Sequence, residues 1–146
     1  MSQENVEVVR GAFEVLTRMM AASAADPNRS MRDDYTRFAE FLDPDFELVQ
    51  ATSAVEPGTL RGYQGFVTFI EGGREMWREA RLEPQEFIAA GDQVVVLGVF
   101  RGRGRASGAE VEQPTGTVWT LRDGKVARVQ AFMDPSEALE AVGLQD

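Results

Sequence analysis

The chemistry open to this chain is limited by two residue types that it lacks. The 146 residues include no histidine and no cysteine, which excludes Ser-His-Asp and Cys-His nucleophilic systems, imidazole bases and zinc sites built on either side chain. The 14 arginines do not accept protons near neutral pH. Acid–base chemistry is therefore restricted to carboxylates, Tyr35, Tyr63, the lone Lys125 or a group on the substrate.

Other side chains could bind a ligand without reacting with it. Three polar residues could hydrogen-bond a ligand carbonyl: Gln50, Gln113 and Thr117. The alternative, equally open, is that they satisfy one another or bind water. Three aromatic residues could stack on a flat molecule: Trp77, Phe100 and Trp119. Aromatic residues in such positions more often belong to the core.

Arginines alternate at Arg101, Arg103 and Arg105, on one face of a predicted strand. Such a row could grip a phosphate or a carboxylate. The commoner role is a solvated edge, partly neutralised here by Glu110 and Glu112 across a hairpin. The scattered carboxylates lack the spacing of a metal site, so we expect no metal and no cofactor.

A hairpin is the element that the sequence specifies best. Asp123-Gly124 separates two alternating apolar segments, residues 117–121 and 126–133, and this dipeptide suits a turn with positive φ angles. Alternation along the second segment places Val129 and Met133 on an apolar face, with Val126 on the opposite one.

Apolar residues at helical spacing predict three helices. The first ends near residue 22, and the others span residues 35–42 and 63–79. A short final helix is predicted over 137–142, capped by Ser136 and ended by Gly143. Gly72-Gly73 would cost the third helix about 2 kcal/mol relative to alanine, which predicts a kink or close packing there. Residues 24–32 are interpreted as a loop, and residues 54–60 as a turn or lid.

The remaining segments predict strands. An early strand starts at Asp45, and strands over 82–90, 94–103, 111–121 and 126–133 should form an antiparallel meander. Residues 94–99 are apolar on both faces. In an antiparallel sheet this predicts helices on one face and another subunit on the other.

Composition and charge set the class of protein. A chain with 43% hydrophobic and 27% charged residues predicts one domain over residues 1–146. A net charge of −9 argues against nucleic acid as a partner. The sequence shows no basic leader before an apolar stretch and no apolar run of membrane-spanning length. We therefore expect a cytoplasmic protein without membrane association.

Four segments, in this order, resemble the SnoaL-like group of the nuclear-transport-factor-2-like (NTF2-like) superfamily, especially bacterial ketosteroid-isomerase-related proteins: Asp43-Pro-Asp-Phe-Glu47, Arg61-Gly-Tyr-Gln-Gly65, Ala90-Gly-Asp-Gln-Val94 and Trp119-Thr-Leu-Arg-Asp-Gly-Lys-Val126. The resemblance covers nearly the whole chain. It implies an α+β cone, in which a curved mixed or antiparallel sheet wraps around three helices from the N-terminal half, with a short C-terminal helix. It also implies a pocket between the sheet and the helices and a homodimer through the outer sheet face.

Ketosteroid isomerases use a carboxylate base on the first strand, with a tyrosine and a protonated acid as hydrogen-bond donors. The resemblance implies that these places are held here by Gln50, Phe13 and, within a residue, Thr117. An amide accepts no proton at neutral pH and a phenyl ring donates no hydrogen bond. We therefore expect no standard isomerase chemistry. The histidine of SnoaL-type polyketide cyclases is also absent.

Two hypotheses follow, and no catalytic residue is assigned. The first is a protein that binds a small apolar or aromatic metabolite. Its pocket candidates are Phe13, Leu48, Gln50, Phe66, Ile70, Trp77, Phe100, Gln113, Thr117, Trp119, Val129 and Met133. The alternative is a SnoaL-like isomerase, cyclase, dehydratase or epoxide hydrolase that uses a carboxylate with a pKa raised by burial. Candidates for that carboxylate are Glu47, Glu56, Glu86 and Asp134, and an Asp-Arg-Asp-type set could draw on Arg101, Arg103, Glu110, Glu112 and Asp134.

Overall fold

A computed structural model describes residues 2–50 and 58–144. Within these ranges the elements are α1 (Ser2–Ala25), α2 (Arg32–Ala39), β1 (Leu42–Val49), β2 (Thr59–Arg61), α3 (Gly62–Met76), β3 (Trp77–Ala90), β4 (Gln93–Gly104), β5 (Glu110–Arg122), β6 (Lys125–Phe132) and α4 (Pro135–Ala141). None of the helices in the described ranges is long and apolar enough to cross a membrane.

The strands of the described residues form one mixed sheet in the order β2-β1-β6-β5-β4-β3. Strands β3 to β6 pair antiparallel in succession, while β1 runs parallel to β6 and antiparallel to β2. Helices α1, α2 and α3 pack on the inner face of this sheet, and α4 packs on the outer face. The predicted meander and the α+β cone are therefore confirmed.

One hydrophobic core fills the space between the inner face of the sheet and helices α1, α2 and α3. Its aromatic members Phe13, Phe38, Phe66 and Trp119 are at most 3% exposed. Phe38 stacks on Phe66 with ring centroids 4.2 Å apart. Each such side chain contributes about 1.5–3 kcal/mol by leaving water, so this core holds the helices against the sheet.

Helix α4 covers apolar residues on the outer face. Val95 and Val118 are 0% and 4% exposed because they pack against Ala138 and Leu139 of α4. A side chain at Gly116 would collide with Ala138, so glycine allows the helix to lie close to the sheet. The outer cover that we assigned to a second subunit at Val95 is thus supplied by the chain itself, and the dimer stays a prediction.

The ends of α4 differ partly from expectation. Its cap is Asp134, whose Oδ1 accepts a hydrogen bond from the Ser136 backbone N–H at 2.9 Å, and Pro135 is the first helical residue. Proline is tolerated there because the first N–H groups of a helix have no intrahelical partner. The prediction that Ser136 is the cap is therefore wrong. Gly143, with φ of 79°, follows the helix end as predicted.

The β5–β6 hairpin is confirmed, with φ of 52° at Asp123 and 76° at Gly124, as a two-residue type I′ turn requires. Val126, however, is fully buried in the inner core rather than on the outer face. The register shifts after Thr120 and leaves Ala127 without a partner. This bulge reverses the alternation at the start of β6.

Helix α3 ends at Met76, and Trp77 opens β3, so the predicted helix over 63–79 is too long. Trp77 has an extended backbone and pairs with Gly104 across the sheet. The helix continues through Gly72 and Gly73, and among the described residues no atom beyond the helix's own backbone lies within 4 Å of a Cβ built at either position. The close packing that we expected at these glycines is therefore wrong.

Other boundaries move by a few residues. Strand β1 begins at Leu42 rather than Asp45, α1 continues to Ala25, and α2 is Arg32–Ala39 rather than 35–42. Part of the predicted turn or lid over 54–60 forms β2, whereas residues 54–57 lie outside the described residues.

Arg105 ties two helix ends to the hairpin between β4 and β5. Its Nη2 donates to the carbonyl oxygens of Ala24 at 3.0 Å and Trp77 at 2.7 Å, and its Nε donates to that of Arg74 at 3.1 Å. Ala24 and Arg74 lie in the last turns of α1 and α3, where carbonyl groups lack intrahelical partners and the helix dipole favours a cation. Arg105 therefore fixes the position of this hairpin.

Replacing Arg105 tests this role. We expect Arg105→Ala to lower the free energy of unfolding by about 2 kcal/mol, since it removes hydrogen bonds to a charged group. Arg105→Lys should lie between, because one ammonium cannot reach all the carbonyls. The control is Arg81→Ala, whose side chain is 70% exposed. Urea denaturation measures all three, and equal losses in Arg105→Ala and Arg81→Ala would contradict the assignment.

Candidate functional site

The inner face of the sheet changes from a sealed core to a partly open surface along the strands. On β5 the inward-facing residue Trp119 is 1% exposed, Thr117, Thr115 and Gln113 are half-buried, and Val111 is 39% exposed. We call the buried part of this face, around Trp119, the neck, and the part from Thr117 to Val111 the open end. On the inner face of the described structure, only the open end has space for a ligand, because packed side chains fill the neck.

Half of the sequence-derived pocket candidates lie in the neck. They belong to one hydrophobic cluster and are at most 8% exposed: Phe13, Leu48, Phe66, Ile70, Trp119 and Val129. The rings of Phe13 and Trp119 are 5.9 Å apart, and the Trp119 Nε1 donates to Thr117 Oγ1 at 2.8 Å. These residues form the floor below the open end.

Gln50 and Thr117 lie at neighbouring levels of the inner face. Val49 pairs with Gln130 on the parallel strand β6, so the register places Gln50 level with Ala131. Ala131 in turn pairs with Thr117 on β5. Two strand spacings separate Gln50 from Thr117, roughly 10 Å. Phe13 lies against Trp119 next to them, so the three isomerase-related positions occupy one region, and their assignment stays a prediction.

Trp77, Phe100 and Gln113 lie at the open end, whereas Met133 is 40% exposed and does not line the cavity described below. The Trp77 and Phe100 rings are 5.0 Å apart at 62°, and a side chain at Gly102 would collide with both. Gln113 donates from Nε2 to the Met133 carbonyl oxygen at 3.0 Å. Its amide oxygen accepts no hydrogen bond from any residue in 2–50 or 58–144. The open end therefore combines an aromatic pair with a neutral acceptor.

A cavity of about 290 Å³ adjoins the aromatic pair. It is lined by Met76, Trp77, Gly104, Arg105, Ala106, Ser107, Ala109 and Val111. Among these, Trp77 was a pocket candidate from the sequence and Arg105 a possible anion-binding residue. Most of the others lie between the strands predicted over 94–103 and 111–121. The alternation that places Gln113 and Thr117 inward continues to Val111, and this signal could have identified that residue. The Ser107 hydroxyl accepts from the Ala109 N–H at 3.1 Å, which leaves its own proton to donate.

The loop between α1 and α2 is held against α3. Arg74 is 9% exposed, and its Nη2 donates to the carbonyl oxygens of Asp26 at 3.1 Å and Pro27 at 2.9 Å. These bonds anchor the loop beside the C-terminal end of α3, next to Met76 and Trp77 of the cavity lining.

The described carboxylates named in the enzyme hypothesis lie away from this cavity. Glu47 pairs with Arg61, Asp134 caps α4, and Glu86 lines a groove on the outer face. Glu56 lies outside the described residues. Within the described ranges no group of three or more carboxylate side chains is arranged to hold a metal ion.

Two of the three alternating arginines form ion pairs with glutamates on the neighbouring strand. Arg101 pairs with Glu112 and Arg103 pairs with Glu110, as predicted for a solvated strand face. Arg105 does not share that role, since its guanidinium donates to helix carbonyl groups. An Asp-Arg-Asp set of the epoxide-hydrolase type therefore finds no support in these ion pairs.

The remaining acid–base residues do not line the cavity. Tyr35 donates from its hydroxyl to Glu71 Oε1 at 2.6 Å, and burial, followed by this hydrogen bond, raises the pKa of Tyr35 well above its usual range. Tyr63 is 46% exposed, and Lys125 donates to the Glu40 carbonyl oxygen. None of them is placed to exchange a proton at the open end.

Comparison with known proteins identifies the family. The family model of the SnoaL-like domain matches residues 16–129, or 114 of 146 residues. The chain belongs to the SnoaL-like domain family. The matched range runs from α1 to β6 and includes both the neck and the hairpin beside the cavity, so the family expected from the sequence is confirmed.

Solved structures share the fold of this SnoaL-like domain. An NTF2-like protein of unknown function from Burkholderia pseudomallei is 24% identical, with 98% of this chain and 99% of that chain covered and a TM-score of 0.72. TerC, co-crystallised with polyporic acid, is 25% identical, with 95% and 98% covered and a TM-score of 0.67. A candidate SnoaL-like polyketide cyclase from Jannaschia is 21% identical, with 90% and 86% covered and a TM-score of 0.65. No curated protein matches the chain.

Proposed function

We propose that this SnoaL-like domain binds a small hydrophobic or aromatic molecule at the open end of the cone and does not carry out standard ketosteroid isomerase chemistry. The observation that carries the proposal is the 290 Å³ cavity beside the Trp77–Phe100 ring pair. Ligand sites in proteins are mostly apolar, with a few polar groups that orient the ligand. The Gln113 amide oxygen and the Ser107 hydroxyl supply such groups.

The chemistry of the site favours binding over catalysis. The cavity lining includes no carboxylate, and the described carboxylates considered for catalysis are engaged or face elsewhere. TerC, a protein of the same fold, was crystallised with polyporic acid. That observation concerns TerC, and it supports the choice of a small organic molecule as the ligand class for this domain.

Removal of the indole at the cavity tests the site. With 2-naphthol as the probe, we expect Trp77→Ala to weaken binding by about tenfold, because the aromatic contact is lost. Isothermal titration calorimetry measures the affinity. The control is Tyr63→Ala, which removes an exposed aromatic side chain outside the cavity. Unchanged affinity in Trp77→Ala, or an equal loss in both variants, would contradict the proposed site.

The absence of isomerase chemistry has its own test. We expect the unaltered chain to leave a β,γ-unsaturated ketosteroid unconverted, and Gln50→Asp combined with Phe13→Tyr to convert it at a measurable rate through the restored base and donor. Gln113→Asp with Phe13→Tyr is the matched control, since it adds the same carboxylate at another position. The rise in ultraviolet absorbance of the conjugated product reports turnover. Turnover by the unaltered chain would refute the proposal.

We also propose a homodimer through the outer face of β6 around Arg128 and Gln130, beside Phe132, which packs against the α4 cluster. Gln130 and Phe132 are half-buried, and Arg128 forms no ion pair with any described residue. An exposed arginine beside a partly apolar surface is common in interfaces between proteins.

Analytical ultracentrifugation at micromolar concentration tests the dimer. The unaltered chain should sediment as a dimer, and Arg128→Glu should shift it toward monomer because the two copies of this residue face a shared interface. Arg37→Glu, on the exposed surface of α2, is the control of equal charge change. A strict monomer would remove the dimer proposal.

A further inference from the structure

A larger groove lies on the outer face of the sheet, opposite the inner face that carries the open end. Its volume is about 460 Å³, within the usual range for small-molecule sites. It is lined by Glu86, Ile88, Leu97, Pro135, Ser136, Leu139 and Leu144. Most of this surface is apolar, and Glu86 is its one charged member.

The groove arises from the position of α4. Gly116 on β5 lets the helix lie close to that strand, with Ala138 above it. The outer surface of the neighbouring strands β4 and β3 is then covered only in part. Leu97 on β4 pairs with Glu86 on the edge strand β3, so Leu97 forms the floor and Glu86 the rim.

Glu86 differs from the other glutamates on this face of the hairpin strands. Arg101 forms ion pairs with Glu83 and Glu112. Arg103 forms ion pairs with Glu79 and Glu110. Among the described residues the Glu86 carboxylate has no hydrogen bond or ion pair. A charge that lacks a partner thus stands at the edge of an apolar groove.

We propose that this groove binds a small hydrophobic organic cation, with its ammonium group at Glu86 and its apolar body over Ile88 and Leu97. The apolar lining favours a ligand that removes hydrocarbon surface from water. The carboxylate adds a charge-assisted hydrogen bond to an ammonium group, and the net charge of −9 disfavours anions. This site is separate from the open end and does not depend on the function proposed there.

Ligand titration of the full chain by nuclear magnetic resonance tests the site. The probes are 2-phenylethylammonium, its neutral counterpart 2-phenylethanol and the anion 3-phenylpropanoate. The cation should bind about three- to tenfold more tightly than the alcohol, and the anion should bind weakest. The backbone amides of Ile88, Leu97, Leu139 and Leu144 should shift, and added salt should reduce the preference for the cation.

Substitution of the rim carboxylate decides the result. Glu86→Gln should lower the affinity for the cation to that for the alcohol and leave the alcohol unchanged. Glu79→Gln, on the same face of the same strand but outside the groove, should change neither. Equal binding of cation and alcohol, an unchanged cation affinity in Glu86→Gln, shifts confined to the Trp77 cavity, or no binding at millimolar concentration would each overturn the proposal. Binding of 2-naphthol at Trp77 is measured separately, so failure at one site does not imply failure at the other.

Discussion

Strand β4, which lies next to the edge strand β3, is apolar on both faces over residues 94–99, and the layers of the molecule follow from the need to cover it. Val94 and Val96 are 0% and 2% exposed on the inner face, and Val95 is 0% exposed on the outer one. A strand of this kind is stable only between two covers. Helices α1 to α3 form the first cover and α4 the second. Neither cover extends over the whole sheet: Val111 is 39% exposed on the inner face, and the outer face retains a groove.

The electrostatics of the open end follow from how the nearby arginines are used. Arg74 and Arg105 donate to backbone carbonyl groups of α1, α3 and the α1–α2 loop. Their hydrogen-bonding capacity is therefore largely committed to the structure, although the Arg74 Nε has no partner among the described residues. The surface beside them is left to the Trp77 and Phe100 rings and to the neutral Gln113. Such a surface suits an uncharged ligand more than an anion.

Local signals predicted the parts of the fold that depend on local chemistry. The Asp123-Gly124 turn, the meander and the glycine after α4 were correct because turn residues and alternation act over a few residues. Val126 was placed on the wrong face because the bulge at Ala127 depends on pairing with β5. Trp77 fits a helical period, yet it pairs in the sheet. The cavity was missed for the same reason, since it forms where Met76, Trp77 and the 104–109 turn meet in space.

The residues of the inner face give the reason why the proposed function is binding rather than catalysis. A catalyst must stabilise the transition state more than the bound substrate, which for enolisation requires a base near the acidic carbon and donors near the developing oxyanion. Gln50 accepts no proton, and the phenyl ring of Phe13 donates no hydrogen bond to an oxyanion. Groups that hold substrate and transition state equally give affinity without rate. Under the proposed function, the apolar lining of the open end therefore gives affinity for a small ligand without proton transfer.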